Sequence, residues 1–244
     1  MRKFFLFINT LFLFHCNLFA QEENDSLQSP WSFSTTGYFY FLPEEENTYT
    51  LLGYVDYKQL HTEVRYNYEA QNAASFFAGW RFETGGKAAI GITPMMGFLF
   101  GDAEGIIPAL ELDLAYKKFD FYSEMEYVID VEGKENNFFY VWGEVAVSPL
   151  ESLRTGISYQ KTRLYQTDRE VQRGIFAQYS FWKLTAGIHY FNPFADDNFL
   201  IGMLSIEFWG EGTQIIMIFL IVMIFDNHVN QENHDNLRSI LPKS

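Results

Sequence analysis

The sequence predicts an all-β protein: an antiparallel up-and-down transmembrane barrel of about twelve strands. Three observations carry the prediction. Between Ala109 and Ile129, Leu110, Leu112, Leu114 and Tyr116 alternate with Glu111, Asp113, Ala115 and Lys117. After Lys117-Lys118, Phe119, Phe121, Met125, Tyr127 and Ile129 alternate with Asp120, Glu124 and Glu126. A period of two places these sets on opposite faces of two strands. Second, the pattern recurs along most of the chain, yet no segment reads as an amphipathic helix that would cover the apolar faces. A sheet left in that condition suits a closed barrel whose outside meets lipid. Third, the chain opens as a secreted protein does.

Arg2 and Lys3 precede the apolar run 4–14, and the stretch closes on Leu18-Phe19-Ala20 before Gln21-Glu22-Glu23-Asn24. This reads as a signal peptide over 1–20; its apolar core, broken by Asn9, His15 and Asn17, is too short to span a bilayer as a helix. Cys16, the one cysteine, leaves with it, so the mature chain has no disulfide and no thiolate metal site. Lipid attachment at Cys16 is disfavoured by the bulky Phe14 and His15 before it. Removal takes two basic residues and no acid, leaving 15 Lys and Arg against 31 Asp and Glu, a net of −16. That balance argues against a nucleic-acid partner.

Residues 21–30 form a short polar lead. The barrel region 31–208 then divides into strands at 31–41, 48–58, 60–69, 74–83, 87–100, 107–117, 119–130, 137–148, 153–165, 171–181, 183–192 and 199–208. An even count returns both ends to one side. Connections alternate between a longer set (42–47, 70–73, 101–105, 131–136, 166–170, 192–198) and a tight set that includes Gln59, the Gly85-Gly86 turn, Lys118 and Phe181-Trp182. Gly91, Gly97 and Gly101 read as points of curvature within one strand. Long connections outside and short ones inside is the rule for such barrels.

Aromatic and charged residues sort along the same axis. Trp31, Trp80, Trp182 and Trp209 fall at the short-turn ends, while Tyr49, Tyr68, Tyr127 and Tyr190 point outward near the other rim. Glu44, Glu45, Glu46, Asp102, Glu104, Glu132, Glu135, Asp168, Glu170, Asp196 and Asp197 crowd the long loops. Lys58, Lys87, Lys117, Lys118 and Lys183 mark the short turns. With the signal peptide, the alternating segments and a last strand ending in an aromatic residue, residues 1–208 resemble bacterial outer-membrane β-barrel proteins. The closing Gly202, Leu204, Ile206 and Phe208 resemble the C-terminal pattern recognised by the barrel assembly machinery. The resemblance implies an outer-membrane location in a Gram-negative bacterium. In that class the aromatic usually ends the chain, whereas here a tail, 209–244, follows. Its apolar run 215–225 lacks alternation and, as a helix, would reach only about 16 Å, short of the roughly 30 Å hydrocarbon core. The readings are a short apolar helix or poorly ordered segment at the periplasmic face, or a tail altered by a reading-frame change.

Phasing the alternation gives the expected lumen. Its acidic cluster is Glu63, Glu69, Glu111, Asp113, Glu124, Glu126 and Glu144; its basic residues are Arg65, Arg81 and Arg154. Its aromatics are Tyr38, Tyr40, Tyr54, Tyr122, Tyr140 and Trp142. Ser32, Ser34, Asp56, Asn67, Glu83, Gln160, Gln178, His189 and Glu207 complete the list. The tight turn at Lys117-Lys118 sets Glu111 and Asp113 opposite or diagonal to Glu124 and Glu126. Carboxylates so placed must be protonated, bind a cation, or face the interior arginines.

Catalysis and cofactors are not expected. His61 and His189 have no ligand spacing, so no metal site is read from them. The only nucleophile pair available, His189 with Ser158, points inward, away from any lipid substrate. The expected function is therefore a small passive channel for cations or small neutral solutes, its carboxylates concentrating cations. Two alternatives stay open: a plugged structural or surface-binding barrel, and, as a minor one, an outer-membrane lipid-acting enzyme. Expected partners are outer-membrane lipids, the assembly machinery and small solutes. Divalent cations shared between the acidic outer loops and lipid headgroups are a further expectation.

Overall fold

Alternation at a period of two becomes, in the computed structural model, a wall of antiparallel strands. The structure describes residues 30–43, 46–162 and 171–209. The signal peptide, nearly all of the lead, Cys16, Glu44, Glu45, Asp168, Glu170 and the tail from 210 on, with its apolar run, lie outside the described residues, whereas Trp209 is the last residue of the closing strand. The strands are β1 (Trp31–Phe41), β2 (Thr48–Tyr57), β3 (Leu60–Tyr66), β4 (Ala73–Trp80), β5 (Phe82–Thr84), β6 (Ala88–Gly101) and β7 (Gly105–Tyr116). They continue as β8 (Phe119–Asp130), β9 (Phe138–Leu150), β10 (Leu153–Lys161), β11 (Gln172–Phe181), β12 (Leu184–Phe191) and β13 (Phe199–Trp209). Apart from β4 and β5, which both pair with β6, each pairs with its neighbour in sequence, and β13 returns to β1 in one unbroken register from Ser32↔Trp209 to Phe41↔Leu200. That pairing closes the barrel and removes both sheet edges.

β4 and β5 are two halves of one stave, so the wall has twelve. Both pair with β6, as Gly79↔Met95 and Phe82↔Ile92, in a common register that sets Trp80 opposite Pro94. Proline has no N–H to give the ladder, and the stave is interrupted there. On the other side the Arg81 amide donates to the Gln59 carbonyl at 2.8 Å, extending the ladder with β3.

The third stave departs from the expected 60–69. Asn67 takes a left-handed φ of 55°, ending β3 at Tyr66 and folding the following loop into the barrel mouth. Tyr68 is consequently buried inside, not outward at the rim as alternation predicts. Tyr49 and Tyr127 are exposed at the long-loop rim, and Trp80 and Trp182 at the short-turn rim.

Outward faces are apolar and exposed, as with Phe98, Ile106, Leu110, Ile157, Ile175 and Leu204. The inner face divides along the barrel axis. Toward the short turns it is polar, whereas toward the long loops two apolar clusters fill it. Phe77, Met95, Leu99, Ile107 and Val128 form one; Tyr40, Leu52, Tyr68, Tyr140, Trp142, Phe191, Phe199 and Ile201 form the other. A barrel of this size is narrow enough for large side chains to meet across it. The outer half of the interior is thus packed by apolar and aromatic side chains around a few buried polar groups, Arg65, Glu69 and Glu126 among them, while the inner half is mainly polar.

Candidate functional site

Alternation sends His61, Glu63 and Arg65 of β3 inward, opposite Asp56, Tyr54 and Leu52 of β2. Arg65, fully buried, becomes the meeting point of four carboxylates. Its guanidinium lies 2.5 Å from Glu63, 3.4 Å from Glu69 and 2.5 Å from Glu124, with Glu126 in close contact. The Tyr68 and Phe77 rings lie 4.7 and 4.2 Å from its central carbon. The inward-folded loop supplies Glu69, whose carboxylate also accepts the Ser75 hydroxyl at 2.8 Å. Buried charges of this kind hold only when paired and hydrogen-bonded together, since each ion alone would cost several kcal/mol of desolvation.

The other two interior arginines among the described residues take separate groups. Arg154 contacts Asp120 at 2.5 Å and Glu144 more closely, and donates to Gln178 at 3.1 Å. Arg81 lies 3.5 Å from Asp56, 3.8 Å from Glu83 and 3.9 Å from Glu111. Asp113 is buried beside them, opposite Tyr122 and Gly91. Of the outcomes open to crowded interior carboxylates, facing an arginine is the one this geometry displays for Glu63, Glu69, Glu111, Glu124, Glu126 and Glu144.

The aromatic residues line the same space. Tyr122 donates to Glu111 at 2.9 Å, and the Trp142 indole to Glu144 at 3.2 Å. Tyr38 packs 5.9 Å from Trp142, Tyr54 6.2 Å from His61, and Tyr140 5.0 Å from Tyr68. Tyr40 is buried in the second apolar cluster.

Three residues matter more here than in the sequence. Asp120 was legible, because it shares the inward phase of Tyr122 and Glu124. Tyr68 was not, because the turn at Asn67 inverts its phase. His61, isolated in sequence, sits with Nδ1 2.6 Å from Asp56 and Nε2 2.6 Å from Glu63, and its ring, Glu63 and Glu111 gather donor atoms within 4.8 Å of one another. Those three are drawn from β3 and β7, and linear spacing carries no trace of that meeting.

A cavity of about 180 Å³ occupies the polar half, reaching Ser148, Glu151 and Ser152 at the short-turn end and stopping at Tyr38, Leu52, Tyr68 and Trp142. Beyond it, Phe77, Ile107, Val128, Phe191 and Ile201 are each 0% exposed. A continuous wet lumen would reach some of these side chains, so among the described residues the barrel is closed across its outer half.

Ser158 and His189 are both buried inside and share no hydrogen bond. Ser158 faces Glu144 and Gly174 across the ladder, whereas His189 is stacked on Phe176 at 5.1 Å, its Nε2 4.0 Å from Glu144.

No protein-family model matches the chain, and no curated protein matches it. Among solved structures it is similar to the KdgM porin in complex with disordered oligogalacturonate, at 10% identity over 74% of this chain and 99% of that one, TM-score 0.50. Omp33 of Acinetobacter baumannii (14% identity, 74% and 98% covered, TM-score 0.44) and the NanC porin (8%, 73% and 100%, 0.46) are also similar. At such identities the likeness is one of fold. The chain has the barrel architecture of bacterial outer-membrane proteins.

Proposed function

We propose that the protein is an outer-membrane channel barrel for cations or small neutral solutes, with an acidic vestibule at its short-turn, periplasmic end. Passage requires the side-chain layer across its outer half to part. The observation that carries this reading is the cavity: it opens among the short turns and is walled by Glu111, Asp113, Asp120, Glu144, Glu151 and Glu207, with Arg81 and Arg154 as its cations. Carboxylates around a confined, low-dielectric space raise the local cation concentration and disfavour anions. The apolar outer face meets outer-membrane lipid once the signal peptide is removed, and β13 presents the closing pattern to the assembly machinery. Asp102, Glu104, Glu132 and Glu135 at the long loops would share divalent cations with lipid headgroups. The reading is not enzymatic, because the interior His189 and Ser158 are out of a lipid's reach.

A specific observation favours a second reading, a permanently plugged structural barrel. Arg65 and its four carboxylates, with the two apolar clusters, make a fully packed layer. Recording refolded mature protein in planar bilayers separates the two. The channel reading expects brief cation-selective openings from wild type and larger, more frequent ones after Trp142→Ala with Phe191→Ala. A wild type silent at every voltage beside a conducting double variant decides for the plug.

A further inference from the structure

We propose that His61, Glu63 and Glu111 form a binding site for a single divalent transition-metal ion, of the Zn²⁺ class, in the wall of the vestibule. One imidazole and two carboxylates suit such an ion, with a further coordination position left for water. What distinguishes this group from an ordinary ion-pair cluster is how each ligand is held. His61 Nδ1 lies 2.6 Å from Asp56, leaving Nε2 to point at the two glutamates. Glu63 Oε2 accepts from Arg65 Nε at 2.5 Å, leaving Oε1 toward His61. Glu111 Oε1 accepts from the Tyr122 hydroxyl at 2.9 Å, leaving Oε2 toward the same nitrogen. A partner thus fixes the non-coordinating atom of every ligand, and a carboxylate behind the histidine is the arrangement that orients imidazoles on metals.

The distances are close to what an ion needs. Around a tetrahedral Zn²⁺ with bonds of about 2.0–2.2 Å, donor atoms stand roughly 3.3–3.6 Å apart. Here Nε2 is 2.6 Å from Glu63 Oε1 and 3.9 Å from Glu111 Oε2, so movements under about 1 Å at the ends of two glutamates complete the site. His61 and Glu111 both line the cavity, which gives an ion its entry path and its open position. A second observation points to a ligand at the same place. The Thr93 hydroxyl, 0% exposed and without a hydrogen-bond partner, stands opposite Glu111 in the β6–β7 ladder. A buried hydroxyl in that condition is costly unless water or an ion's water shell reaches it. The competing cation is Arg81, 3.9 Å from Glu111 and 3.4 Å from His61 Nδ1.

The inference holds whether or not the barrel conducts, and its test reads binding rather than current. Refolded mature protein in detergent, with His228 and His234 changed to Asn to silence the tail histidines, is titrated with Zn²⁺ by calorimetry and with Co²⁺ by absorption. One ion per chain is expected, with the visible bands of a four- or five-coordinate Co²⁺ site and no displacement by Mg²⁺. His61→Asn and Glu111→Gln should each abolish saturable binding, and Asp56→Asn, which alters the support behind His61 rather than a ligand atom, should weaken it about 10- to 100-fold. Arg81→Gln should tighten it, a gain that a mere ion-pair network does not predict. Absence of saturable Zn²⁺ uptake by protein that still shows heat-modifiable gel mobility overturns the proposal. Uptake unchanged by His61→Asn and Glu111→Gln overturns it equally.

Discussion

Glu111 and Glu124 stand directly opposite each other on β7 and β8, and the Tyr122 hydroxyl reaches both, at 2.9 and 3.3 Å. Like charges directly opposed destabilise a sheet unless each finds its own counter-charge. Their outlets differ: Glu124 reaches Arg65 at 2.5 Å, while Glu111 faces His61 and Arg81, each at 3.9 Å. The pair therefore belongs at once to the packed layer and to the vestibule, and the two roles separate experimentally.

The packed layer depends on Arg65. Arg65→Met removes the shared cation of Glu63, Glu69, Glu124 and Glu126 while keeping most of the volume between Tyr68 and Phe77. Leaving buried carboxylates without their partner should lower stability by about 3–5 kcal/mol. Urea unfolding in lipid vesicles, followed by tryptophan fluorescence, measures it. Unchanged stability would mean that the carboxylates are not held as ions by Arg65.

The vestibule depends on Glu111 and Asp113. In the Trp142→Ala, Phe191→Ala background, where current is expected, Glu111→Gln with Asp113→Asn should shift the reversal potential in a salt gradient toward zero. At 1 M salt, where the screening length is about 3 Å, the difference from the parent should largely vanish. Glu124→Gln with Glu126→Gln should instead reduce stability, with less effect on selectivity. An anion-selective parent pore would overturn the proposed lumen charge.

Gly97 is a packing site. A Cβ there would collide with the Phe77 ring, which lies across β6 at that position. Gly97→Val should cost about 1–3 kcal/mol by overpacking. Adding Phe77→Ala should recover part of the loss, so the double-mutant cycle should show a coupling of roughly 0.5–3 kcal/mol. Strictly additive effects in the same unfolding assay would exclude the contact.

Closure needs nothing after Trp209. The β1–β13 ladder is complete from Ser32↔Trp209 to Phe41↔Leu200. Protein lacking 210–244 should refold with β-type circular dichroism and run differently on gels before and after boiling. Failure of the truncated chain alone, beside a full chain that inserts, would show that the tail takes part in assembly.

The sequence by itself determined what is local. A period of two assigns each residue to a face as soon as a strand is recognised, which is why the staves, their tight turns, the closing strand and the inward phase of Glu63, Arg65, Glu111, Glu124, Glu126 and Arg154 were legible from residue types alone. Only the tertiary structure decided what those inward side chains meet. Arg65 and Glu126 are brought together by closure of the barrel, as are His61 and Glu111, and no spacing within one strand encodes a distance across it. The sealed outer half was hidden for a related reason. Around Ile106, Ile107 and Pro108 both faces are apolar, so alternation is silent just where Ile107 and Val128 pack with Phe77 and Leu99. Tyr68 was misplaced because one left-handed residue, Asn67, breaks the period on which the phasing rests.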